Sequence, residues 1–134
     1  VLTPNEGEAR LLAELEPGAP IDKAADVLLA RGVKAVLATL GEKGCCLYRR
    51  DAPPLALPGW RVKVVDTIGA GDTFTGALAA ALARGETLVD AMRWANAAAA
   101  LSVTAPGAIG GMPTLAQVQS LLRPGGQARV NRRD

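Results

Sequence analysis

A short, nearly continuous apolar run at residues 33–40 constrains the fold more than any other feature of the sequence. It is rich in Val, Leu and Ala, and it lies between a helical pattern and a glycine turn. Such runs are typical of strands that are buried on both faces of a parallel sheet. Around it, strand-like and helix-like segments follow one another in the order β-α-α-β-β-β-α-α-α. This order predicts the α/β class, as a three-layer α/β/α sandwich with a mainly parallel sheet.

The individual elements are predicted from apolar periodicity and from capping residues. Asp22 is the expected N-cap of the second helix, and Gly32 is expected just past its end. The Pro-rich stretch at 52–59 is interpreted as a connection between two strands. Helices are predicted at residues 6–15, 22–31, 73–84, 87–103 and 114–122, and strands at 1–3, 33–40, 45–49 and 61–65.

The composition excludes several kinds of site and partner. There is no histidine, which rules out Ser-His-Asp and Cys-His nucleophile systems and His-ligated metals. The only cysteines, Cys45 and Cys46, are adjacent, which disfavours a disulfide and predicts reduced thiols in a cytoplasmic protein. The net charge of +2 is too even to indicate a nucleic-acid or anionic membrane surface. No apolar run approaches the roughly 18 residues of a spanning helix.

The length of 134 residues predicts one domain with a real core. We expect this domain to occupy residues 1–122 and the Gly-, Arg- and Asn-rich end, 123–134, to be a disordered tail. The chain starts with Val1 and enters a strand-like triplet at once, so we expect the native N-terminus to lie upstream.

The most informative segment is residues 64–74, whose pattern predicts a strand, then a glycine loop, then a helix. Gly69 and Gly71 permit a tight turn that brings the backbone close to a ligand. The unpaired N–H groups and the dipole of the following helix form an anion site, beside which Asp72 can accept a proton from a hydroxyl that attacks a phosphate. The alternative is a structural joint with Asp72 as N-cap. The loop is neither a Walker A motif nor a dinucleotide fingerprint, because no Gly-Lys-Ser/Thr follows and Phe74 takes the third glycine position.

Residues 66–74, Asp-Thr-Ile-Gly-Ala-Gly-Asp-Thr-Phe, resemble the C-terminal signature of the ribokinase-like (PfkB-type) carbohydrate kinases. Other segments resemble further motifs of this family in the family's order. They are an Asn-x-x-Glu motif at 3–8, a Thr-x-Gly-x-x-Gly nucleotide loop at 39–44, and adenine and cation segments at 94–100 and 103–113. The similarity runs to about residue 122 and covers only the C-terminal half of such a kinase. The expected missing half would hold the sugar-binding residues and a β lid.

The resemblance implies a ribokinase-like fold and an ATP-dependent sugar kinase of the ribokinase type. The alternatives are a 2-keto-3-deoxygluconate kinase, a fructokinase or a nucleoside kinase of the same family, or a non-catalytic nucleotide-binding fragment. The implied partners are ATP, a small sugar, the missing N-terminal half and a second copy in a homodimer, with no nucleic acid and no membrane. The fragment alone is expected to be inactive. Asp72 is implied to be the catalytic base. The amides of Ala70, Gly71 and Asp72, in the turn that begins at Gly69, are implied to form the anion hole for the γ-phosphate.

The same resemblance implies where ATP and Mg²⁺ bind. Asn5 and Glu8 lie one helical turn apart, so both can face one ligand, with Glu8 orienting Mg²⁺ through water. In the alternative interpretation Asn5 caps the helix and Glu8 is solvated. Asn96 is implied to bond the adenine or ribose, and otherwise is a satisfied structural amide. The other implied nucleotide contacts are Thr39, Gly41 and Gly44, which otherwise form a plain hairpin turn, and Gly71.

A monovalent cation, K⁺, is the last component that the resemblance implies. Backbone carbonyls would supply most of its ligands, and the cation would order the anion-hole loop. Gly111 departs from the family pattern because it lacks a side-chain hydroxyl, and Ile68 stands where Thr is frequent. We expect residues 105–111 to lie beside residues 66–68. The implied cation residues are Asp66, Ile68, Ser102, Ala105, Gly107 and Gly111.

Overall fold

The computed structural model describes residues 1–126, which fall into two compact units, Val1–Pro58 and the chain from Gly59 onward. The described residues contain both helices and strands, which agrees with the predicted α/β class. The helices are α1 (Glu6–Leu12), α2 (Ile21–Ala30), α3 (Ala70–Ala83), α4 (Leu88–Ser102) and α5 (Leu115–Leu122), and the strands are β1 (Val36–Thr39), β2 (Cys45–Arg49) and β3 (Ala52–Leu57).

The first unit is built on a three-stranded sheet in the order β1-β2-β3. Both ladders are antiparallel, because each pair of strands is joined by a short hairpin connection. Parallel pairing is present as two bridges, Leu2 to Val36 and Asn5 to Thr39. The expectation of mainly parallel pairing therefore does not describe the named strands of residues 1–126.

One face of this sheet packs against α1 and α2. Side chains alternate along a strand, so Cys46 and Tyr48 of β2 share a face with Val36 and Ala38 of β1. Small alanines on the helices, such as Ala9, allow close approach to that face. Both cysteines are free and buried, as expected of small hydrophobic side chains. The buried members of this core are Ala9, Ala13, Ala24, Ala25, Leu28, Leu29, Val36, Ala38, Cys46 and Tyr48.

The strand predictions after residue 49 are wrong. The Pro-rich stretch is not a plain connection, since β3 occupies Ala52–Leu57 and contains Pro53 and Pro54. Proline is tolerated there because β3 has a single neighbour, β2, within the sheet of the described residues. Residues 61–65 form no strand within the described part of the chain, and the N–H of Val65 donates to the carbonyl of Val103 at 2.7 Å.

The start of α2 also differs from the prediction. The N-cap is Pro20, not Asp22, and the helix begins one residue before Asp22. The Asp22 carboxylate instead accepts the hydroxyl proton of Tyr48 at 2.7 Å, which ties α2 to β2. Gly32 has a φ of 100° just past the helix end, as expected for a residue in that position.

The second unit is helical in its described residues. Helices α3 and α4 pack closely through faces that include Phe74, Leu78 and Met92. Val118 and Leu121 of α5 close a core with the alanines of α4. Side chains cap both later helices: the hydroxyl oxygen of Thr87 accepts the N–H of Asp90, and Thr114 forms a capping box with Gln117. These caps fix where α4 and α5 begin.

None of the helices within residues 1–126 combines the length and the apolar character that a membrane span requires. The predicted boundary at residue 122 and the single domain stay predictions. Most of the predicted disordered tail, from residue 127 on, lies outside the described residues.

Candidate active site

The glycine loop enters α3 earlier than the sequence indicates. Gly69, with a φ of 78°, is the N-cap, and the helix starts at Ala70 instead of residue 73. The N–H of Ala70 donates to the Thr67 carbonyl at 3.3 Å, and that of Thr73 to the Gly69 carbonyl at 2.9 Å. The N–H groups between them belong to the exposed residues Gly71 and Asp72, in the first turn where helical amides lack helical partners. The helix start therefore offers donors and a positive dipole end to an anion.

The carboxylate of Asp72 is exposed in the first turn of α3. It is not the N-cap, since Gly69 holds that position and no side chain caps this helix. The alternative interpretation of Asp72 as a structural cap is therefore wrong. A carboxylate that is not used in capping is available to accept a proton.

The two glycines of this turn have different surroundings. A Cβ at Gly69 would lie 2.8 Å from the Cβ of Ala108, so Gly69 is enclosed. A Cβ at Gly71 would meet no atom within 4 Å. The space beside Gly71 is therefore open to a ligand, while Gly69 is held against the neighbouring loop.

Asp66 links the glycine loop to the segment after α4. Its Oδ1 accepts the N–H of Ile68 at 2.9 Å, and its Oδ2 accepts the N–H of Gly107, 41 positions later, at 2.8 Å. These two bonds hold the pKa of the Asp66 carboxyl below its ordinary value of 3.8, because they stabilise the charged form. The expectation that 66–68 and 105–111 lie side by side is confirmed.

Several of the implied cation residues come together in this second unit. A Cβ at the buried Gly111 would contact the Ser102 carbonyl oxygen and lie 3.1 Å from the Gly107 carbonyl oxygen. The Gly107 carbonyl accepts the N–H of Gly111 at 2.9 Å, and the Ser102 hydroxyl donates to the carbonyl of Ala99 at 2.8 Å. Ile68 is largely exposed, and Ala105 is half-buried in the same loop. Whether these residues bind a cation stays a prediction.

Asn5 and Glu8 cap the first helix of the other unit. The Oδ1 of Asn5 accepts the N–H of Glu8, and the Oε2 of Glu8 accepts the N–H of Asn5, both at 2.9 Å. The alternative interpretation, in which Asn5 caps the helix, therefore describes this end of α1. Glu8 is part of the same cap. Both side chains remain exposed, so the capping box does not remove them from a ligand.

The predicted nucleotide loop lies beside this helix end. Asn5 and Thr39 form a parallel bridge, and the N–H of Thr39 donates to the Pro4 carbonyl at 2.9 Å. A 3₁₀ turn at Gly41–Lys43 then connects β1 to β2, with positive φ at Gly41 (60°) and at Gly44 (98°). The backbone of this loop forms a hairpin turn, as in the alternative interpretation. The contact of the loop with a nucleotide stays a prediction. The structure does bring the two motifs of this unit together.

Asn96 is buried in the middle of α4, with 8% of its surface exposed. It takes part in an interaction within the protein, which fits the structural interpretation of this amide. Its implied contact with the adenine or ribose stays a prediction.

Two residues of this region were missed from sequence. Ala108 contacts Gly69, and no motif singled it out; the signal was the glycine opposite it. Thr73 is buried beside Asp72, and its hydroxyl has no hydrogen-bond partner among the described residues. Those residues also contain no cluster of three or more metal-ligating side chains.

Comparisons with known proteins find similarity along most of the chain. The profile of the pfkB family carbohydrate kinases matches residues 1–115. A ribokinase of Bacillus subtilis is 43% identical over 121 residues, which are 90% of this chain and 39% of that protein. The chain thus spans about two fifths of the length of this curated relative.

Solved structures show the fold. An Arabidopsis thaliana ribokinase complexed with ribose and ATP has a TM-score of 0.84 and 39% identity, over 91% of this chain and 40% of that one. A ribokinase-like E. coli protein in complex with ATP and Mg²⁺ has a TM-score of 0.80 and 32% identity, over 90% and 38% of the two chains. The fold of the chain is the ribokinase-like α/β fold.

Proposed function

Because the chain belongs to the pfkB family of carbohydrate kinases, we propose that it is the nucleotide-binding, C-terminal part of an ATP-dependent sugar kinase of the ribokinase type. The sugar-binding residues would lie in the rest of the protein, since the chain spans only 39% of its ribokinase relative. A second copy in a homodimer and a cytoplasmic location belong to the same proposal. Ribose is the proposed sugar, because the relatives named above are ribokinases.

The start of α3 is the observation that carries this proposal. Phosphoryl transfer depends on positioning and on stabilisation of charge more than on a strong base. The amides of Gly71 and Asp72 lie at the positive end of α3, and the exposed Asp72 carboxylate is beside them. In the proposed mechanism these amides stabilise the transferred phosphoryl group. Asp72 accepts the proton of the sugar hydroxyl as that hydroxyl attacks.

The first unit is proposed to bind MgATP as a substrate. At the left-handed glycines Gly41 and Gly44 the β1–β2 turn carries no Cβ atom, so its backbone can approach the nucleotide closely at these two positions. Asn5 and Glu8 lie next to this turn through the bridge from Asn5 to Thr39. The capping box uses the Oε2 of Glu8, which leaves the other oxygen for a water on Mg²⁺. A single indirect carboxylate suits Mg²⁺, because this ion keeps much of its hydration.

A monovalent cation is the component for which this chain offers few side-chain ligands. Both oxygens of Asp66 and the carbonyl of Gly107 each accept one backbone N–H group. Gly111 contributes no side-chain oxygen. The proposed transfer therefore uses Asp72 and the helix amides and assigns no step to a cation.

The test is a kinase assay of the complete enzyme that contains this chain. We expect ATP-dependent phosphorylation of ribose, in preference to fructose, 2-keto-3-deoxygluconate and nucleosides. The Asp72→Asn variant should keep its affinity for ATP and lose at least about 10²-fold in turnover, the lower end for a general base. Equal turnover in both proteins would remove Asp72 from the mechanism, and ATP binding without transfer to any sugar would favour a nucleotide-binding module.

Gly71→Ala gives a second test of the same site. The added methyl group would meet no protein atom within 4 Å, so the fold should be unaffected. It would project into the open space beside the helix amides, and turnover should therefore fall. Unchanged turnover would place the phosphate elsewhere.

A further inference from the structure

We infer that Lys43 is a further nucleotide-binding residue, whose ammonium group contacts the phosphates of ATP and makes no contact with the adenosine. Lys43 lies in the 3₁₀ turn that follows β1. The inference rests on the proposed function, because it assumes that ATP binds beside this turn. It adds a charged side chain to a loop in which the family resemblance implies only Thr39 and two glycines.

The fold brings Lys43 to the edge of the first unit at which Asn5 and Thr39 meet. The segment that contains Asn5 runs parallel to β1, and the two form a bridge at Thr39, the last residue of that strand. Ligands of α/β proteins bind outside the carboxyl ends of such parallel segments. The turn starts at Gly41, two residues after Thr39, so Lys43 lies at this edge.

The backbone of Lys43 is fixed, and its side chain is available to a ligand. The N–H of Lys43 donates to the Leu40 carbonyl at 3.2 Å, and that of Gly44 to the Gly41 carbonyl at 3.1 Å. The side chain is exposed, and its ammonium group forms no hydrogen bond or ion pair with another residue of 1–126. Contact with an anion would therefore break no bond within the described part of the chain.

The other charges at this edge are negative. Glu42 precedes Lys43 in the turn, and Glu8 lies in the capping box of α1 with Asn5; both glutamates are exposed. Carboxylates repel the phosphates of a nucleotide, since like charges close to each other interact unfavourably. Binding of ATP here requires positive charge to offset this repulsion. Mg²⁺ supplies part of it in the proposed function, and Lys43 is the basic side chain of the turn.

A second basic residue of this region is already used within the protein. Arg10, in the last turn of α1, pairs with Glu6 at 3.5 Å, and its Nε donates to the Ala19 carbonyl at 2.7 Å. Lys43 has no such bonds. A lysine ammonium is a compact charge on a flexible stem and has only donors, so it suits a multiply charged phosphate better than a neutral adenosine.

The experiment measures nucleotide binding to the complete enzyme that contains this chain, by calorimetry at constant Mg²⁺. Lys43→Met removes the charge and keeps an unbranched side chain. We expect it to weaken the binding of ATP and of ADP about tenfold or more, the loss expected for one hydrogen bond to a charged group. The affinity for adenosine, measured in competition with ATP, should not change. ATP affinity equal to that of the unaltered protein, or an equal loss for adenosine, would overturn the inference.

Two further variants separate a direct contact from the overall charge and from damage to the fold. Lys34→Met is the matched control, because Lys34 is an exposed lysine two residues before the start of β1, at the other end of that strand. It should bind ATP as the unaltered protein does, and a loss as large as that of Lys43→Met would contradict a contact at Lys43. Lys43→Arg keeps the charge and should retain most of the affinity; binding as weak as that of Lys43→Met would also count against the inference.

The melting temperature without ligands should be the same in all four proteins, because the ammonium group of Lys43 has no partner to lose among the described residues. The outcomes also separate this inference from the proposed function. If the enzyme binds ATP and phosphorylates no sugar, the proposed function fails, and the ATP affinities of the variants still decide the role of Lys43. If the enzyme is an active sugar kinase and Lys43→Met binds ATP normally, only the inference fails.

Discussion

Asn5 and Glu8 cap the same helix end reciprocally, each side chain accepting the backbone N–H of the other residue at 2.9 Å. The two residues that the family resemblance assigns to the phosphate end of the nucleotide therefore also start α1. The cap fixes both side chains at the edge of the sheet, because Asn5 bridges to Thr39 at the end of β1. A structural role and a proposed ligand-binding role thus fall on one pair of residues, and only matched variants can separate them.

Glu8→Gln and Glu8→Ala separate those roles. Glutamine keeps an acceptor oxygen and preserves the capping box, whereas alanine removes one bond at a cost of about 1 kcal/mol. In urea unfolding, Glu8→Gln should match the unaltered protein and Glu8→Ala should be less stable. In the kinase assay both should lose activity at limiting Mg²⁺, because both lose the charge. Full activity of Glu8→Gln would leave Glu8 with the capping role alone.

Gly69→Ala should damage both the fold and the turn that is proposed to bind the phosphoryl group. A methyl group there is strained at a φ of 78° and would lie 2.8 Å from the Cβ of Ala108. We expect a loss of at least about 1–3 kcal/mol in unfolding free energy. The control is Gly76→Ala in the interior of α3, where the new Cβ meets nothing within 4 Å. That change should stabilise the helix by about 0.5–1 kcal/mol, and equal effects of the two would contradict the placement of Gly69.

Asp66 should make stability depend on acid pH. Its pKa is lowered in the folded state, so its contribution is fully present above the ordinary value of 3.8 and is lost as the pH falls through the lower folded value. The difference in urea-unfolding free energy between the unaltered protein and Asp66→Asn should be constant at neutral pH. It should shrink below pH 3.8. A difference that does not change with pH would show that the charge of Asp66 is not what stabilises the loops.

Cys45 should resist alkylation in the folded protein. Burial, and to a lesser extent the neighbouring Cys46, raises the pKa of the Cys45 thiol from 9.0 to about 12, and the thiolate is the reactive form. With iodoacetamide at pH 9.0 we expect negligible modification of Cys45 by mass spectrometry, and complete reaction in urea. Rapid labelling without denaturant would show that β2 is not buried as described.

Local sequence patterns predict the positions of the helices in this chain better than the positions of the strands. α5 was predicted at residues 114–122, where Thr114 and Gln117 form a capping box that depends on side chains three residues apart. β3 was missed because its two prolines are typical of loops, and only the position of the strand beside β2 makes them acceptable. The start of α3 was placed too late, since a glycine in the left-handed region can cap a helix without any side-chain signal.

The sequence likewise predicts some features of the candidate site and not others. The glycine turn, Asp72 and the adjacency of the two loops follow from motifs and from chain order. The bond from Asp66 to Gly107 spans 41 positions and involves a backbone N–H, which leaves no mark in the residue type. The contact of Gly69 with Ala108 is also long-range, and its one sequence signal is the glycine itself. Such long-range backbone contacts join the two loops, and they are visible only in three dimensions.

The adjacent prolines of β3 also affect the tendency of the protein to aggregate through its sheet edge. An open strand edge is a template for intermolecular β-ladders, because its N–H and C=O groups can pair with another chain. Successive backbone amides point to opposite sides of a strand, so one of Pro53 and Pro54 removes a donor from the side away from β2. A foreign strand would lose its register at that position. The sheet thus carries its own protection against edge-to-edge aggregation.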